Sequence, residues 1–404
     1  MLDMLVVGGG YVGLAAAVAV KQAAPHLNVE VIEAAPAGVW EKDERASAII
    51  AAATRMLEVF GLWSEIAPDA QPINRMIVTD SRTSDPVRPV FLTFDGEVEE
   101  GRPFAHMVPN VAMVRALRGA AERLGIVIRH GLSATAFKTE STRCTVSLSD
   151  GSTVETKLLV ACDGVRSKLR DMAGIRTVTW DYGQSGIVTT VAHERPHEGL
   201  AEEHFLPSGP FAILPLTNNR SSLVWTERSG EAERLVASDD LVFEEELQRR
   251  FGHKLGELQV VGGRKAFPLG LTLARAFVAP RLALAGDAAH GIHPISGQGL
   301  NLGFKDVAAL AETVVEADRL GLDIGALNVL ERYQSWRRFD TFRMGVTTDV
   351  LNRLFSNDIT PIRIARDFGL GIVDRMPQLK NFFIDQAAGK TGDGGPKLLA
   401  GEAI

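Results

Sequence analysis

Short apolar runs and a helical pattern alternate at the beginning of the chain. Residues 2–7 (LDMLVV) predict a buried strand, Gly13 to Ala24 predict an alanine-rich helix, and residues 29–33 (VEVIE) predict a second strand. A strand, a helix and a strand in this order close right-handed, with the two strands parallel. This pattern therefore predicts the start of an α/β fold.

Further along the chain, alternation of apolar and polar positions dominates. Alternation with turn signals over 74–94, 144–160 and 184–226 indicates mostly antiparallel sheet. The other predicted elements are helices near 53–62, 110–124, 299–319 and 327–355, and short apolar strands at 157–162 (KLLVAC) and 281–285 (RLALA). Each of these two strands ends at a pair of glycine and aspartate.

The order of these patterns predicts a discontinuous nucleotide-binding domain into which a second domain is inserted. Pieces of nucleotide-binding character lie at the start, near residue 160 and near residue 285, with β-rich stretches between them. The predicted ranges are residues 1–73, 101–180 and 268–340 for a Rossmann-like domain, 74–100 and 181–267 for a substrate domain, 341–388 for a helical C-terminal region, and 389–404 for a flexible tail.

Composition narrows the class of protein. The 404 residues are 46% hydrophobic and carry a net charge of −7, which argues against a nucleic-acid-binding protein. Two cysteines, Cys144 and Cys162, are too few for a disulfide framework or a four-thiolate metal site. No apolar run reaches 18 residues, and no basic region precedes the first strand. We therefore expect a cytoplasmic protein without a transmembrane helix.

A glycine motif joins the first strand to the first helix. Gly8, Gly10 and Gly13 give the pattern G-x-G-x-x-G, which provides a tight turn, room for a pyrophosphate and close packing of helix on strand. Glu33 ends the second strand 20 residues after Gly13, where an acid binds the adenosine ribose hydroxyls. The motif predicts dinucleotide binding, and the charge of Glu33 disfavours a 2′-phosphorylated nucleotide. A second such fingerprint does not follow.

Two further segments point to a family. Residues 160–170 read VACDGVRSKLR and residues 285–303 read AGDAAHGIHPISGQGLNLG. With the glycine motif, they resemble the three signatures of the flavin aromatic hydroxylases, the FAD monooxygenases built like para-hydroxybenzoate hydroxylase. The resemblance spans roughly residues 3–385 and implies a Rossmann-like FAD domain with an inserted, mostly antiparallel substrate domain and a helical C-terminal region.

The resemblance also implies positions for the cofactor. Asp287, after Gly286, would bind the ribityl chain, and Pro294 would fix a bend. Gly297 and Gly299 would let the backbone approach the flavin ring, and the helix N-terminus at Leu300 and Asn301 would face its N1/C2=O end. Pro294 and Gly297 thus form the expected active-site wall, and no side chain is assigned as a general base. His290 and His293 belong to this motif, so we expect no metal site.

Other matches are less specific. Asp163 and Gly164 resemble the family's DG motif near the pyrophosphate, and Arg166 and Arg170 lie where they could steer a charged ligand. Arg45 resembles an arginine near the pyrophosphate or ribityl chain, although a solvated surface position is the alternative. Asn110 resembles a further cofactor contact, with helix capping as the alternative.

Several segments resemble the subgroup that hydroxylates prenylated phenols in ubiquinone biosynthesis. They are residues 45–63, 208–227, 290–310 and 352–389. Ile49-Ile50 departs from the Leu-Ser pair that is usual there. The resemblance implies that reduced FAD and O2 give a C4a-hydroperoxide, which hydroxylates a hydrophobic aromatic substrate. It implies NADH or NADPH as electron donor, with a protein partner as the alternative donor.

Alternatives remain at this point. A hydroxylase of soluble aromatic compounds, a flavin-dependent prenyl reductase and a non-catalytic scaffold share the flavin motifs. The apolar segment 211–216 (FAILPL) suits a greasy substrate or a core strand. The C-terminal segment, with basic residues such as Arg353, suits a helix packed on the body or peripheral contact with the inner face of a membrane. Partners in a quinone-synthesis complex and a homo-oligomer are left open.

Overall fold

A computed structural model gives the fold of the chain. The structure describes residues 1–80, 90–95, 97–99, 101–292, 298–355 and 395–404. The helices in these residues are α1 (Tyr11–Ala23), α2 (Ala51–Val59), α3 (Trp63–Ile66), α4 (Asn110–Arg123), α5 (Lys168–Met172), α6 (Ser229–Ala237), α7 (Asp240–Phe251), α8 (Gln298–Arg319), α9 (Leu327–Phe355) and α10 (Lys397–Ala400). The strands are β1 (Leu2–Val7), β2 (Val29–Glu33), β3 (Ala46–Ile50), β4 (Gln71–Ile73), β5 (Arg75–Asp80), β6 (Val90–Asp95), β7 (Glu97–Glu99), β8 (Arg102–Pro103), β9 (Ala105–Pro109), β10 (Val127–His130), β11 (Ala134–Thr139), β12 (Cys144–Leu148), β13 (Thr153–Ala161), β14 (Thr177–His193), β15 (Leu200–Leu206), β16 (Gly209–Leu216), β17 (Arg220–Arg228), β18 (Leu258–Val260), β19 (Lys265–Ala274), β20 (Val278–Ala279), β21 (Leu282–Leu284) and β22 (His290–Gly291).

The first sheet has a parallel centre. Its strand order is β10-β2-β1-β13-β12-β11, and β21 pairs with β13. Strand β1 pairs in parallel with β2 and β13, and β13 pairs in parallel with β21. This confirms the predicted parallel strand–helix–strand unit, although α1 starts two residues earlier than predicted. The predicted strands at 144–160 and 157–162 are the hairpin of β12 and β13.

The second sheet is mostly antiparallel. Its order is β22-β19-β14-β17-β16-β15-β5-β6, and the pairing of β15 with β5 is its parallel exception. The antiparallel pattern predicted over 184–226 is confirmed. Strands β14 and β19 run across the expected boundaries at 180/181 and 267/268. The division of the chain into the stated domain ranges therefore stays a prediction.

Apolar side chains from the two sheets meet at a third, smaller sheet. Strands β3, β9 and β4 form this sheet. One cluster of buried apolar residues joins it to the second sheet and includes Ala48, Met107, Phe205 and Leu216. The segment 211–216 lies in strand β16, where Phe211 packs in the core of the second sheet, edge-on to the Trp225 ring. The segment is therefore a core strand, and its contact with a greasy substrate stays a prediction.

The last ten residues are packed against the body of the protein. Leu398 and Leu399 of α10 are each 2% exposed, and the carbonyl of Leu399 accepts a hydrogen bond from Arg55 Nε at 2.9 Å. The backbone N–H of Lys397 donates to Glu312 Oε2 at 2.8 Å. The prediction of a flexible tail over 389–404 is wrong for residues 395–404, because their two leucines bury apolar surface between α2 and α8. Residues 356–394, which carry most of the predicted helical C-terminal region, lie outside the described residues.

Candidate cofactor-binding and active site

The glycine turn is built as the motif predicts. Gly8 has φ +113°, and a Cβ there would lie 2.1 Å from the carbonyl oxygen of Cys162. A Cβ at Gly13 would lie 1.9 Å from the Gly8 carbonyl oxygen, so helix α1 can approach strand β1 only without a side chain. At Gly10, no atom of the described residues lies within 4 Å of such a Cβ. The turn is therefore closed on its protein side and open at Gly10, where the pyrophosphate is expected.

Glu33 lies against this turn. Its Oε2 accepts the N–H of Gly9 at 2.6 Å, and its Oε1 accepts the N–H of Ala35 at 2.7 Å. A carboxylate has about four acceptor sites, so two hydrogen bonds leave capacity for ribose hydroxyls. The structure thus fixes the carboxylate beside the turn, and its contact with the ribose stays a prediction.

Asp163 and Gly164 follow β13 on the other side of Gly8. Asp163 Oδ2 accepts the N–H of Leu169 at 3.3 Å, whereas the buried Asp163 Oδ1 has no hydrogen-bond partner among the described residues. Gly164 adopts φ +83°, and no described atom lies near a Cβ built on it. A buried acceptor without a partner needs a donor, and a bound ligand with hydroxyl groups provides one.

Arg166 and Arg170 differ in their exposure to solvent. Arg166 is exposed. Arg170 is 5% exposed, and its Nη1 donates to the carbonyls of Val165 and Ala288 at 3.0 and 3.2 Å. The prediction that Arg170 could steer a charged ligand is wrong, because its guanidinium ties the DG turn to the segment that follows β21.

Arg45 and Asn110 belong to one hydrogen-bonded group. Arg45 donates through Nε and Nη2 to Asp43 at 2.8 Å each, and this hydrogen bond raises the pKa of the guanidinium. Asn110 donates through its backbone N–H to the Arg45 carbonyl at 2.9 Å and through Nδ2 to Asp43 at 3.2 Å. The Asn110 side chain does not cap helix α4. It fixes the loop that carries Arg45.

Asp287 lies in a cleft that these segments share. Its side chain is accessible to solvent, yet surrounding protein raises the pKa of its carboxyl group, while the charges of His290 and Arg45 oppose that rise. Burial, with the negative charge of Asp287 nearby, raises the pKa of the Tyr11 phenol to about 12. The fold therefore brings Arg45, Asp287 and the glycine turn together. Sequence reasoning missed Tyr11, whose position at the start of α1 was the available signal.

Helix α8 begins at the same cleft. No described atom lies within 4 Å of a Cβ built on Gly299, and Leu300 is buried. The Asn301 side chain is 1% exposed, donates to the Ala48 carbonyl at 2.8 Å and accepts the N–H of Ile50 at 3.1 Å. It ties α8 to β3, so its amide has a structural contact that the motif did not indicate. Direct flavin contacts by Gly299, Leu300 and Asn301 stay predictions.

The predicted active-site wall lies outside the described residues. Pro294 and Gly297, together with His293, belong to residues 293–297. His290 is described, and its Nε2 lies 2.5 Å from Asp306 Oδ2. Asp306 also contacts Arg337, and sequence reasoning missed both residues. Their signal was a charged residue in each of two otherwise apolar helix faces.

The fold and site define a flavoprotein-like α/β protein with an added antiparallel sheet, and comparisons with known proteins agree. The FAD binding domain family matches residues 1–335. Ubiquinone hydroxylase UbiL of Rhodospirillum rubrum is 46% identical, with 99% of this chain and 92% of that protein covered. The 3-demethoxyubiquinol 3-hydroxylase of Escherichia coli is 33% identical over 96% of this chain and 98% of that protein.

A solved structure shows the same fold. The p-nitrophenol 4-monooxygenase PnpA from Pseudomonas putida superposes with a TM-score of 0.75 at 21% identity, covering 94% of each chain. The chain therefore belongs to the FAD-binding family of aromatic hydroxylases, in the subgroup that contains the ubiquinone-biosynthesis hydroxylases. It is an FAD-dependent monooxygenase of that family.

The residues present fit this cofactor. The open side of Gly10 gives room for the pyrophosphate, and the buried Asp163 Oδ1 offers an acceptor without a partner. The Glu33 carboxylate accepts the Gly9 N–H of the turn, and Arg45 lies close enough to Asp287 to affect the pKa of its carboxyl group. In the described residues, no helix is both long and apolar enough to cross a membrane.

Proposed function

We propose that this enzyme hydroxylates the aromatic ring of a prenylated phenol in ubiquinone biosynthesis. The observation that carries the proposal is the 46% identity to a ubiquinone hydroxylase, which extends over 99% of the chain and includes both sheets. The 33% identity to 3-demethoxyubiquinol 3-hydroxylase supports the same substrate class.

Each side chain has a binding or orienting function in this proposal. Glu33 would hold the adenosine ribose, and Asp163 Oδ1 would accept a hydroxyl of the cofactor. Asp287 would hold the ribityl chain, with Arg45 beside it to offset negative charge. FAD, when bound, supplies the reaction with O2 and the transfer of oxygen to the ring. The protein then needs to orient the phenol and exclude water, and we assign no general base.

We propose NADH or NADPH as the electron donor. A single dinucleotide fingerprint supports transient binding of the nicotinamide nucleotide, because Gly8, Gly10 and Gly13 are then reserved for FAD. Anaerobic mixing with each nucleotide, followed by flavin absorbance, tests this. Bleaching by one nucleotide identifies the donor, whereas failure of both would point to a protein electron donor.

The decisive experiment is quinone profiling by mass spectrometry in a deletion strain of the source organism. We expect a prenylated phenol that lacks one ring hydroxyl to accumulate, and its structure would name the carbon attacked. Complementation with the intact gene is the control. Unchanged ubiquinone without such an intermediate would contradict the proposal and direct the search to soluble phenols.

We also propose peripheral contact with a membrane surface. Phe339, Phe342 and Val346 lie on one exposed face of α9 and are 73%, 60% and 42% exposed, with Arg338 and Arg343 beside them. Aromatic residues flanked by arginines are typical of helices that lie on anionic bilayers. A homo-oligomer and partners in a quinone-synthesis complex stay predictions.

Vesicle sedimentation tests this contact. We expect the protein to sediment with phosphatidylglycerol vesicles more than with phosphatidylcholine vesicles, and less at high salt. Phe339→Ser with Phe342→Ser should abolish sedimentation, whereas Leu241→Ser, at a 76% exposed leucine of α7, should not. Equal behaviour of the two variants would contradict the assignment of this face.

A further inference from the structure

A buried charged group lies behind the cleft, adjacent to Asp287. Asp306 of α8 has no exposed surface. Its Oδ2 accepts the backbone N–H of Gly286 at 2.9 Å and lies 2.5 Å from His290 Nε2. Gly286 and His290 flank Asp287 on its two sides in the chain. One carboxylate oxygen therefore holds both ends of the segment that presents Asp287.

The other oxygen of Asp306 connects this segment to α9. Arg337 Nε donates to Asp306 Oδ1 at 2.7 Å, and Arg337 Nη1 donates to Asp340 Oδ2 at 2.9 Å. Tyr333, one turn earlier on α9, donates its hydroxyl to the Leu284 carbonyl at 2.6 Å. Helix α9 thus holds the end of β21 directly and the following turn through Asp306.

The charge of Asp306 is maintained in this position. Burial by itself would raise the pKa of Asp306, but the adjacent His290 and Arg337 outweigh burial and hold the pKa below its ordinary value. The contact with Asp306 assigns a His290 proton to Nε2, and no hydrogen-bond partner of the buried Nδ1 lies among the described residues. His290 therefore donates to Asp306.

Packing alone does not explain this group. An apolar set of similar volume is often as stable as a buried ion pair, because desolvation of the charges offsets their attraction. What apolar residues cannot supply is a fixed acceptor for the Gly286 N–H and a directional contact to His290. Gly286 adopts φ +63°, a left-handed conformation that glycine takes without strain.

We propose that Asp306 and Arg337 are positioning residues for the flavin. They hold the turn from Gly286 to His290 so that Asp287 is directed at the ribityl chain. This inference rests on the proposed binding of FAD in this cleft.

Paired variants of the holoenzyme test the inference. Asp306→Asn removes the charge, and Arg337→Lys keeps the charge but loses the Nε contact. The matched controls are Glu227→Gln in β17 and Arg250→Lys in α7, where Arg250 Nη2 lies 2.9 Å from the buried Glu227 carboxylate. The readouts are the rate of FAD release, the flavin absorption spectrum and the melting temperature.

We expect Asp306→Asn to release FAD about tenfold faster, because the turn that carries Asp287 loses a charged acceptor for the Gly286 N–H and for His290. Arg337→Lys should release FAD faster by a smaller factor. The two controls should lower the melting temperature and leave FAD release unchanged. If Asp306→Asn does not fold, comparison of the FAD release rates of Arg337→Lys and Arg250→Lys still tests the inference.

The inference is overturned if the variants at Asp306 and Arg337 change only the melting temperature, as the controls do. It fails separately from the proposed function. Wild-type protein purified without FAD and unable to bind it would contradict the proposed function itself. Wild-type protein with bound FAD, together with unaffected variants, would contradict only the positioning by Asp306 and Arg337.

Discussion

Two glycines of one turn serve different purposes. A Cβ at Gly13 would lie 1.9 Å from the Gly8 carbonyl oxygen, whereas a Cβ at Gly10 would meet no described atom within 4 Å. Gly10 has φ −75°, which alanine adopts without strain. Gly13 is therefore required by the protein's own packing. Gly10 leaves room for a ligand.

Alanine substitutions separate these two functions. We expect Gly13→Ala to lower the free energy of unfolding by roughly 3 kcal/mol, because backbone has to move. Gly10→Ala should change the stability of the FAD-free protein by less than about 0.5 kcal/mol. It should nevertheless weaken FAD binding, because the added methyl group occupies the pyrophosphate position. Chemical denaturation and FAD titration of both variants measure this, and unchanged FAD affinity in Gly10→Ala would contradict the placement.

Individual side chains show where sequence reasoning stops. The motifs correctly predicted the turn around Gly8 and Gly13 because local sterics decide it. They did not predict that Arg170 is buried or that Asn301 bonds β3, since both contacts join segments more than 100 residues apart. Asp306 and Arg337 were missed although they are only 31 residues apart, because their contact depends on how α9 packs against α8.

At the scale of elements, the buried parallel strands were predictable. Strands β1 and β21 are covered on both faces, so each is a short apolar run that propensity and burial both favour. The C-terminal helix α10 was not predicted, because the glycines near residue 390 indicated a loose segment although two leucines of α10 follow them. The predicted lengths of the helices were also imprecise, since helix ends depend on packing.

Helix α10 contributes to stability through those leucines. Leu398 is 2% exposed, so we expect Leu398→Ala to lower the free energy of unfolding by about 2–5 kcal/mol. Leu241→Ala, at a position that is 76% exposed, is the matched control and should cost less than about 0.5 kcal/mol. Equal effects of the two changes in a denaturation series would show that α10 is not docked in solution.

At the scale of the whole molecule, the discontinuous order of segments was predicted from the positions of the three motifs. Sheet topology was less accessible. Strands β14 and β19 cross the predicted domain boundaries, and both belong to the second sheet. Their pairing with each other joins residues far apart in the sequence, so no local pattern indicates it.

Acid sensitivity of the whole fold follows from Asp306. Its pKa is lowered in the folded protein, so the unfolded chain binds a proton first as the pH falls. The stability that Asp306 contributes is present above about pH 4 and is lost as the pH falls through its folded pKa. Asp306→Asn should therefore show a weaker loss of stability than the wild type as the pH falls below about 5. Parallel pH profiles of the free energy of unfolding would contradict this.

The strand order of the central sheet also determines when a newly made chain can complete this sheet. Strand β1 starts at residue 2, but β13 and β21, which complete its parallel neighbourhood, start at residues 153 and 282. At about 5–20 residues per second, a ribosome needs on the order of 15–60 s to travel from the first of these strands to the last. During that interval the apolar edge of the sheet is uncovered, and the cleft between the ends of β1 and β21 does not exist. Cofactor loading is therefore a late event in biosynthesis, and chaperones have to protect the nascent chain until then.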